Sequence, residues 1–398
     1  MSHLSKRLST TLDTLRTAGT YKVLRYLEAP MGPTTSIEGI GNVIVFCSNN
    51  YLGLANHPEV VQAGIEGLER FGAGTSSVRF ICGTFECHRT LEDRLAHFLG
   101  TEAALTFVSC WNANEGLLPT LVDEGDAIVS DALNHASIID AGRLARQAQR
   151  KVFAHSDMLA LEAALTEVQA SDVTVVITDG VFSMEGDVAR LPEMGALCAR
   201  FGATLVVDDS HGVGVLGTHG RGTHEHFGLP AHGPEGVGIL TGTLGKALGG
   251  AAGGYVAGPQ HVIDYLVQRS RPQLFSNALP PTVASSAAKA LEILEREPER
   301  VARLHDNCRA MRDGLRSLDY EVLDSPTAIL PIMIGDTAEA IRLSERLLQM
   351  RIFVVGFGYP VVPEGTARLR VQMSAAHTSD HIDTALEAFK ALKTDTSS

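Results

Sequence analysis

The sequence predicts an α/β protein in which a mostly parallel sheet lies between helices, followed by a smaller α+β C-terminal domain. Three observations predict it. Short β-branched runs alternate with helix-like stretches through the middle of the chain, and those runs are apolar throughout, as in strands covered on both faces. The span 173–207 holds two such runs with a helix between them, the length of a βαβ unit. After about residue 285 the pattern changes to long helices with short strands, which marks a second domain.

At the N-terminus, Leu4, Leu8, Leu12 and Leu15 recur at helical spacing and predict an amphipathic arm that packs on the body or on a partner subunit. Residues 42–47 read as a strand, ended by Asn49, Asn50 and Gly53. Pro58 opens a helix over 58–71. A loop rich in Gly, Ser and Thr covers 72–84, and a helix over about 88–99 stops at Gly100. Strands follow at 103–108, 127–130, 173–178, 204–207 and 237–240; Pro192 and Gly202 bound a helix between the third and fourth. Beyond them come a helix over 282–295, a charged break at Pro298, a helix over 301–317, and strands near 327–334, 352–355 and 368–373. The expected domains are an N-terminal arm over 1–48, a large domain over 49–285 and a small domain over 286–398.

Charge and cysteine usage exclude several classes. The 398 residues carry a formal net charge of −13 and no long basic run, so a nucleic-acid partner is not expected. Anionic ligands must be held locally, by a few placed cations and by backbone N–H groups. No apolar stretch of about 20 residues predicts a membrane span, and the N-terminus has no signal-peptide core. Cys47, Cys82, Cys87, Cys110, Cys198 and Cys308 form no C-x-x-C pair and fit a reducing cytoplasm. His211, His219, His224 and His226 are irregularly spaced, so no metal site is expected. Gly212–Gly217 matches G-x-G-x-x-G, but four residues separate it from the strand and a loop follows it, against a dinucleotide site.

Four segments carry chemistry. In Thr241-Gly-Thr-Leu-Gly-Lys246-Ala-Leu-Gly-Gly a single Lys stands among small residues that let a flat ring lie against the backbone, with Thr hydroxyls at hand for phosphate. A desolvated Lys amine is a nucleophile toward an aldehyde. Asp208-Asp209-Ser210-His211 ends a strand of the βαβ unit, where ligands of parallel sheets bind. One of its carboxylates can keep a pyridine nitrogen protonated, though periodicity leaves open which of the two points inward. Asn134-His135 follows another strand end, where an imidazole can stack on a ring or act as an acid. Ser109-Cys110-Trp111-Asn-Ala-Asn opens a helix whose free N–H groups suit a phosphate.

Together these segments resemble the α-oxoamine synthases, a family of fold-type-I pyridoxal-phosphate transferases. The likeness covers about residues 20–390. It rests on Ser48-Asn49-Asn50-Tyr51-Leu52-Gly53-Leu54, on Ser130–Asp140, on Thr243-Leu244-Gly245-Lys246, and on Ala367-Arg368-Leu369-Arg370 with Ala375-Ala376-His377-Thr378. The runs Ser77–Thr84, Leu274-Phe275-Ser276-Asn277 and Gln372–Thr378 are most similar to the branch that joins glycine to acetyl-CoA. Trp111, Asn112 and Ala252 depart from that branch. The resemblance implies a seven-stranded sheet, a homodimer with shared active sites, and pyridoxal phosphate as a Schiff base on Lys246. It implies Asp208 at the ring nitrogen, His211 and Ser183 on the phenolic side, and His135 stacked on the ring. It further implies Cys110, Trp111 and Thr243 at the phosphate, Ser276 and Asn277 at the neighbouring subunit's phosphate, and Asn49, Arg370 and His135 at the substrate. Lys246, His135, Asp208 and His211 are the expected catalytic residues, and acyl-CoA and glycine the expected substrates.

Overall fold

Seven runs pair into one sheet in the computed structural model of the protein, which describes residues 2–233 and 236–396. They are β1 (Ala103–Phe107), β2 (Ala127–Asp131), β3 (Gln149–Phe153), β4 (Thr174–Asp179), β5 (Thr204–Asp208), β6 (Ile239–Thr243) and β7 (Gly254–Gly258). Their spatial order is β1-β7-β6-β5-β4-β2-β3. The ladders from β3 through β6 are parallel, and β7 runs antiparallel to both of its neighbours. The mostly parallel seven-stranded sheet between helices is thus present. Leu105, Ile128, Val175, Ile177, Val206, Ile239 and Val256 from the strands pack with Leu117, Leu118, Ile138 and Leu266 from flanking helices in one buried core. Fully burying each such aliphatic side chain is worth about 1.5–3 kcal/mol.

Two strands of this sheet lie outside the sequence expectation, as does Thr34–Ile37 elsewhere in the chain. β3 (Gln-Arg-Lys-Val-Phe) is an edge strand, largely exposed and therefore polar. β7 (Gly-Tyr-Val-Ala-Gly) is buried throughout, but it follows a glycine run that reads as a turn. The decoy glycines 212–217 form turns and enter no helix.

The chain divides into two compact units. Asn49–Ser183 with Asp187–Arg303 make the larger; Met1–Ser48, Met184–Gly186 and Leu304–Ser398 make the smaller. The larger unit runs to Arg303 rather than to 285 because the helix Pro281–Arg296 packs on the helix Pro58–Phe71. Two glycines permit the approach: a Cβ on Gly64 would stand 2.6 Å from Ser286 Oγ, and one on Gly67 2.4 Å from Ser285 Oγ.

The smaller unit holds two three-stranded sheets. In one, Gly41–Val45 pairs antiparallel with Thr34–Ile37 and parallel with Ile352–Phe353. In the other, Ala367–Gln372 lies between Ile329–Gly335 and Val355–Phe357. His377 is buried here, accepting from the Ser374 N–H at 3.1 Å and donating to the Val45 carbonyl at 2.9 Å. Burial pulls its pKa down to about 4, so it is a neutral structural strut. The N-terminal helix His3–Thr17 buries none of its residues.

Candidate active site

Parallel strands end in polar residues that the sheet interior cannot hold, and here those ends form one rim. Asp131 ends β2, Asp179 ends β4, Asp208 ends β5 and Thr243 ends β6, with Asp179 opposite Asp208 and Asp208 opposite Thr241. Asp208 is the inward acid, nearly fully buried. Its Oδ2 accepts from Asn114 Nδ2 at 2.7 Å and from the Cys110 thiol at 3.5 Å, and its Oδ1 from the Ser210 N–H at 3.0 Å. Asp209 turns the other way and accepts from the Thr223 N–H at 2.7 Å. Burial pushes its carboxyl up to about 7.

Lys246 lies three residues past β6 in a half-buried turn. Its charge reaches Cys110, Asp179 and His135. Burial raises the first two pKa values well above their usual ranges, Asp208 raises them further, and Lys246 opposes both effects. Burial lowers the pKa of His135, against the pull of Asp208 and with the push of Lys246. Lys246, Asp208, His135 and Cys110 are therefore electrostatic neighbours in one unit.

His135 caps the helix Ala136–Leu144. Its N–H donates to Asp179 Oδ2 at 2.7 Å, its Nδ1 lies 2.8 Å from Ser137 Oγ, and its outer edge is open. The Trp111 ring meets it edge-on at 5.9 Å between centroids. His211 is buried with Nδ1 2.8 Å from the Tyr51 hydroxyl, which donates to Asn49 Oδ1 at 3.2 Å. The three are thereby linked. Ser183 is half-buried in a hairpin closed by Val181 and Val188. Thr243 donates its hydroxyl proton to the Gly253 carbonyl at 3.2 Å and accepts from the Gly245 N–H.

Ser276 and the exposed Asn277 lie on a segment where Asn277 bridges to Val78. Arg370 belongs to the smaller unit, on the strand Ala367–Gln372. It is buried, donates to Gln372 Oε1 at 3.1 Å and lies 4.7 Å over the Phe357 ring.

Sequence reasoning missed several residues of the rim. Asn114 and Tyr51 sit inside quoted motifs, yet their partners are 94 and 160 residues away. Asp179 holds the His135 backbone. His155, after β3, bridges Asp131 Oδ1 at 3.0 Å and Asp187 Oδ2 at 2.9 Å. Burial alone would lower the His155 pKa, but the hydrogen bonds and charges of these two carboxylates push it up to about 10. A raised folded-state value stabilises the native state fully below the ordinary pKa of 6.5, and the gain is lost as pH rises to about 10. Thermal melts of the wild type and His155→Gln should therefore differ most near pH 6 and converge toward pH 10.

The donor set fits pyridoxal phosphate. Asp208 is a buried acceptor already turned by two N–H donors, and Lys246 offers an amine whose charge reaches Cys110, a hydrogen-bond partner of Asp208. The first N–H groups of the helix Cys110–Leu121, on Cys110 and Trp111, have no partner within the helix, as at any helix start. The backbone there is kept bare: a Cβ on Gly254 would stand 2.3 Å from the Cys110 nitrogen.

Comparison with known proteins agrees with this geometry. Residues 41–389 match the family described as aminotransferase class I and II. The 2-amino-3-ketobutyrate coenzyme A ligase of Mus musculus is 46% identical over 383 residues, covering 96% of this chain and 91% of the relative. The 8-amino-7-oxononanoate synthase of Symbiobacterium thermophilum is 46% identical over 379 residues, 95% of each. Among solved structures, Sphingomonas wittichii serine palmitoyltransferase is 32% identical with a TM-score of 0.93, over 100% of this chain and 99% of that one.

Proposed function

This chain belongs to the aminotransferase class I and II family, as one of its pyridoxal-phosphate-dependent α-oxoamine synthases, and we propose that it condenses glycine with acetyl-CoA to give 2-amino-3-oxobutanoate and CoA. The observation that carries the reading is the rim cluster of Lys246 with the buried Asp208 and with His135. The 46% identity to enzymes named 2-amino-3-ketobutyrate coenzyme A ligase supports these substrates. In the condensation the glycine Cα–H bond breaks, a bond forms from Cα to the thioester carbonyl carbon, and the C–S bond to CoA breaks.

Bound pyridoxal phosphate supplies the electron sink for the charge left on Cα. Lys246 Nζ anchors the cofactor and then takes the Cα proton as general base. Asp208, oriented by hydrogen bonds from Asn114 and the Ser210 N–H, would be the partner of the ring nitrogen. His135 packs on the ring, and His211 and Ser183 serve its phenolic side. The N–H groups of Cys110 and Trp111 hold the phosphate, with Thr243. Arg370 and Asn49 bind the glycine carboxylate, for which a planar guanidinium is suited.

We further propose a homodimer in which Ser276 and Asn277 reach the partner's phosphate. The bridge between Val78 and Asn277 joins two segments that leave Phe80, Ile81 and Phe275 62%, 68% and 72% exposed, an apolar face that suits a second copy. A cytoplasmic place is supported by six unpaired thiols.

An anionic thioester needs local cations in so acidic a chain. A groove of about 910 Å³ beside the helix Cys110–Leu121 is lined by Arg146, Arg269, Arg271 and Tyr265 together with Glu115 and Asp123. None of the three guanidinium groups has an ion pair among the described residues. Substituting Arg146 and Arg269 by Ala is expected to raise KM for acetyl-CoA about tenfold, leaving KM for an acetyl thioester without the nucleotide unchanged.

The reading is tested by glycine-dependent CoA release from a panel of acyl-CoA thioesters. Acetyl-CoA should turn over fastest. Faster turnover with a long or dicarboxylic chain would favour the second reading, a sister α-oxoamine synthase, which the equal identity to 8-amino-7-oxononanoate synthase recommends.

A further inference from the structure

Asn114 is fully buried one turn into the helix Cys110–Leu121, and its amide is saturated. Oδ1 accepts from the Thr241 hydroxyl at 2.9 Å. Nδ2 donates one proton to Asp208 Oδ2 at 2.7 Å and the other to Ser137 Oγ at 2.9 Å. The flipped amide would set Oδ1 against the Asp208 carboxylate, acceptor against acceptor, so the network assigns which end is which.

The assignment runs on to the imidazole. Ser137 Oγ accepts from Asn114 and so has its own proton to give, and His135 Nδ1 lies 2.8 Å away. The Ser137 N–H points at the same nitrogen at 3.3 Å. A ring nitrogen that accepts twice carries no proton, so the proton of the neutral imidazole sits on Nε2. Burial favours that neutral form.

We propose that Asn114 and Ser137 are positioning residues: one amide holds the Asp208 carboxylate and, through the Ser137 hydroxyl, sets His135 as its Nε2–H tautomer. His135 then offers a donor to an oxygen of the bound substrate, and it does so in register with Asp208. The inference rests on the reading of Asp208 and His135 as cofactor-site residues, and it deepens that reading by giving His135 a defined protonation.

The test is nitrogen NMR of ¹⁵N-histidine-labelled protein with and without pyridoxal phosphate, the His135 signals being assigned by their loss in His135→Gln. The wild type should show a single Nε2–H pattern at neutral pH. Ser137→Ala, a small change at a buried site, should give a mixture of tautomers and leave cofactor affinity within about twofold. Asn114→Ala should lose the single tautomer and also weaken cofactor binding about tenfold, the value of a hydrogen bond to a buried charge. An Nδ1–H wild type, or a Ser137→Ala protein with the wild-type pattern, would overturn the proposal. A drop in melting temperature with the tautomer unchanged would do the same. If the relay behaves as expected while glycine and acetyl-CoA give no CoA release, the proposed reaction fails and the relay stands.

Discussion

Lys246→Ala is expected to lower turnover by roughly four orders of magnitude, the upper range for removing a general base, and to leave the fold intact. Lys246 lies in a half-buried turn after β6, not in the core, so its truncation opens no packed interior. On the proposed mechanism it removes chemistry: the amine that would anchor the cofactor and take the Cα proton. Removing that charge should also move its neighbours. Burial already raises Cys110 and Asp179, and the loss of an opposing cation raises them further. Single-turnover kinetics with glycine checks the chemical step, and thiol reactivity against pH checks the neighbour.

Asp208→Asn is expected to cost roughly three orders of magnitude in kcat, in the range for losing one preorganised electrostatic partner. The change is isosteric, and the amide oxygen can still accept from Asn114 or from the Ser210 N–H. On the proposed mechanism, what is lost is the partner of the ring nitrogen. A second readout separates this from misfolding. After burial, the Asp208 charge is the largest influence holding up the Cys110 thiol pKa, and its Oδ2 is 3.5 Å from that sulfur. The thiol should therefore ionise at lower pH in Asp208→Asn. A variant that keeps full turnover would remove Asp208 from the ring nitrogen.

Much of the fold is legible in the sequence because parallel strands buried on both faces must be apolar. Val175–Ile177 and Leu205–Val207 announce themselves that way. β3 does not, because an edge strand can be Gln-Arg-Lys. The helix Pro281–Arg296 is visible as a helix, but its unit is not. Its placement depends on two glycines more than 200 residues earlier in the chain. The site divides likewise. Lys246, Asp208, His135 and Cys110 sit in runs whose composition signals chemistry. Asn114, Ser137, Tyr51 and His155 act through partners distant in sequence, and only the assembled rim reveals them. Which of Asp208 and Asp209 turns inward was also a question for the rim, settled by Asn114 on one face and Thr223 on the other.

The central claim is that Lys246 carries the cofactor. Borohydride reduction of the purified chain loaded with pyridoxal phosphate, followed by peptide mass analysis, tests it most directly. The account predicts one pyridoxyl-modified residue, Lys246, and loss of the yellow absorbance on reduction. Modification of a different lysine, or none at all with the cofactor bound, would contradict it.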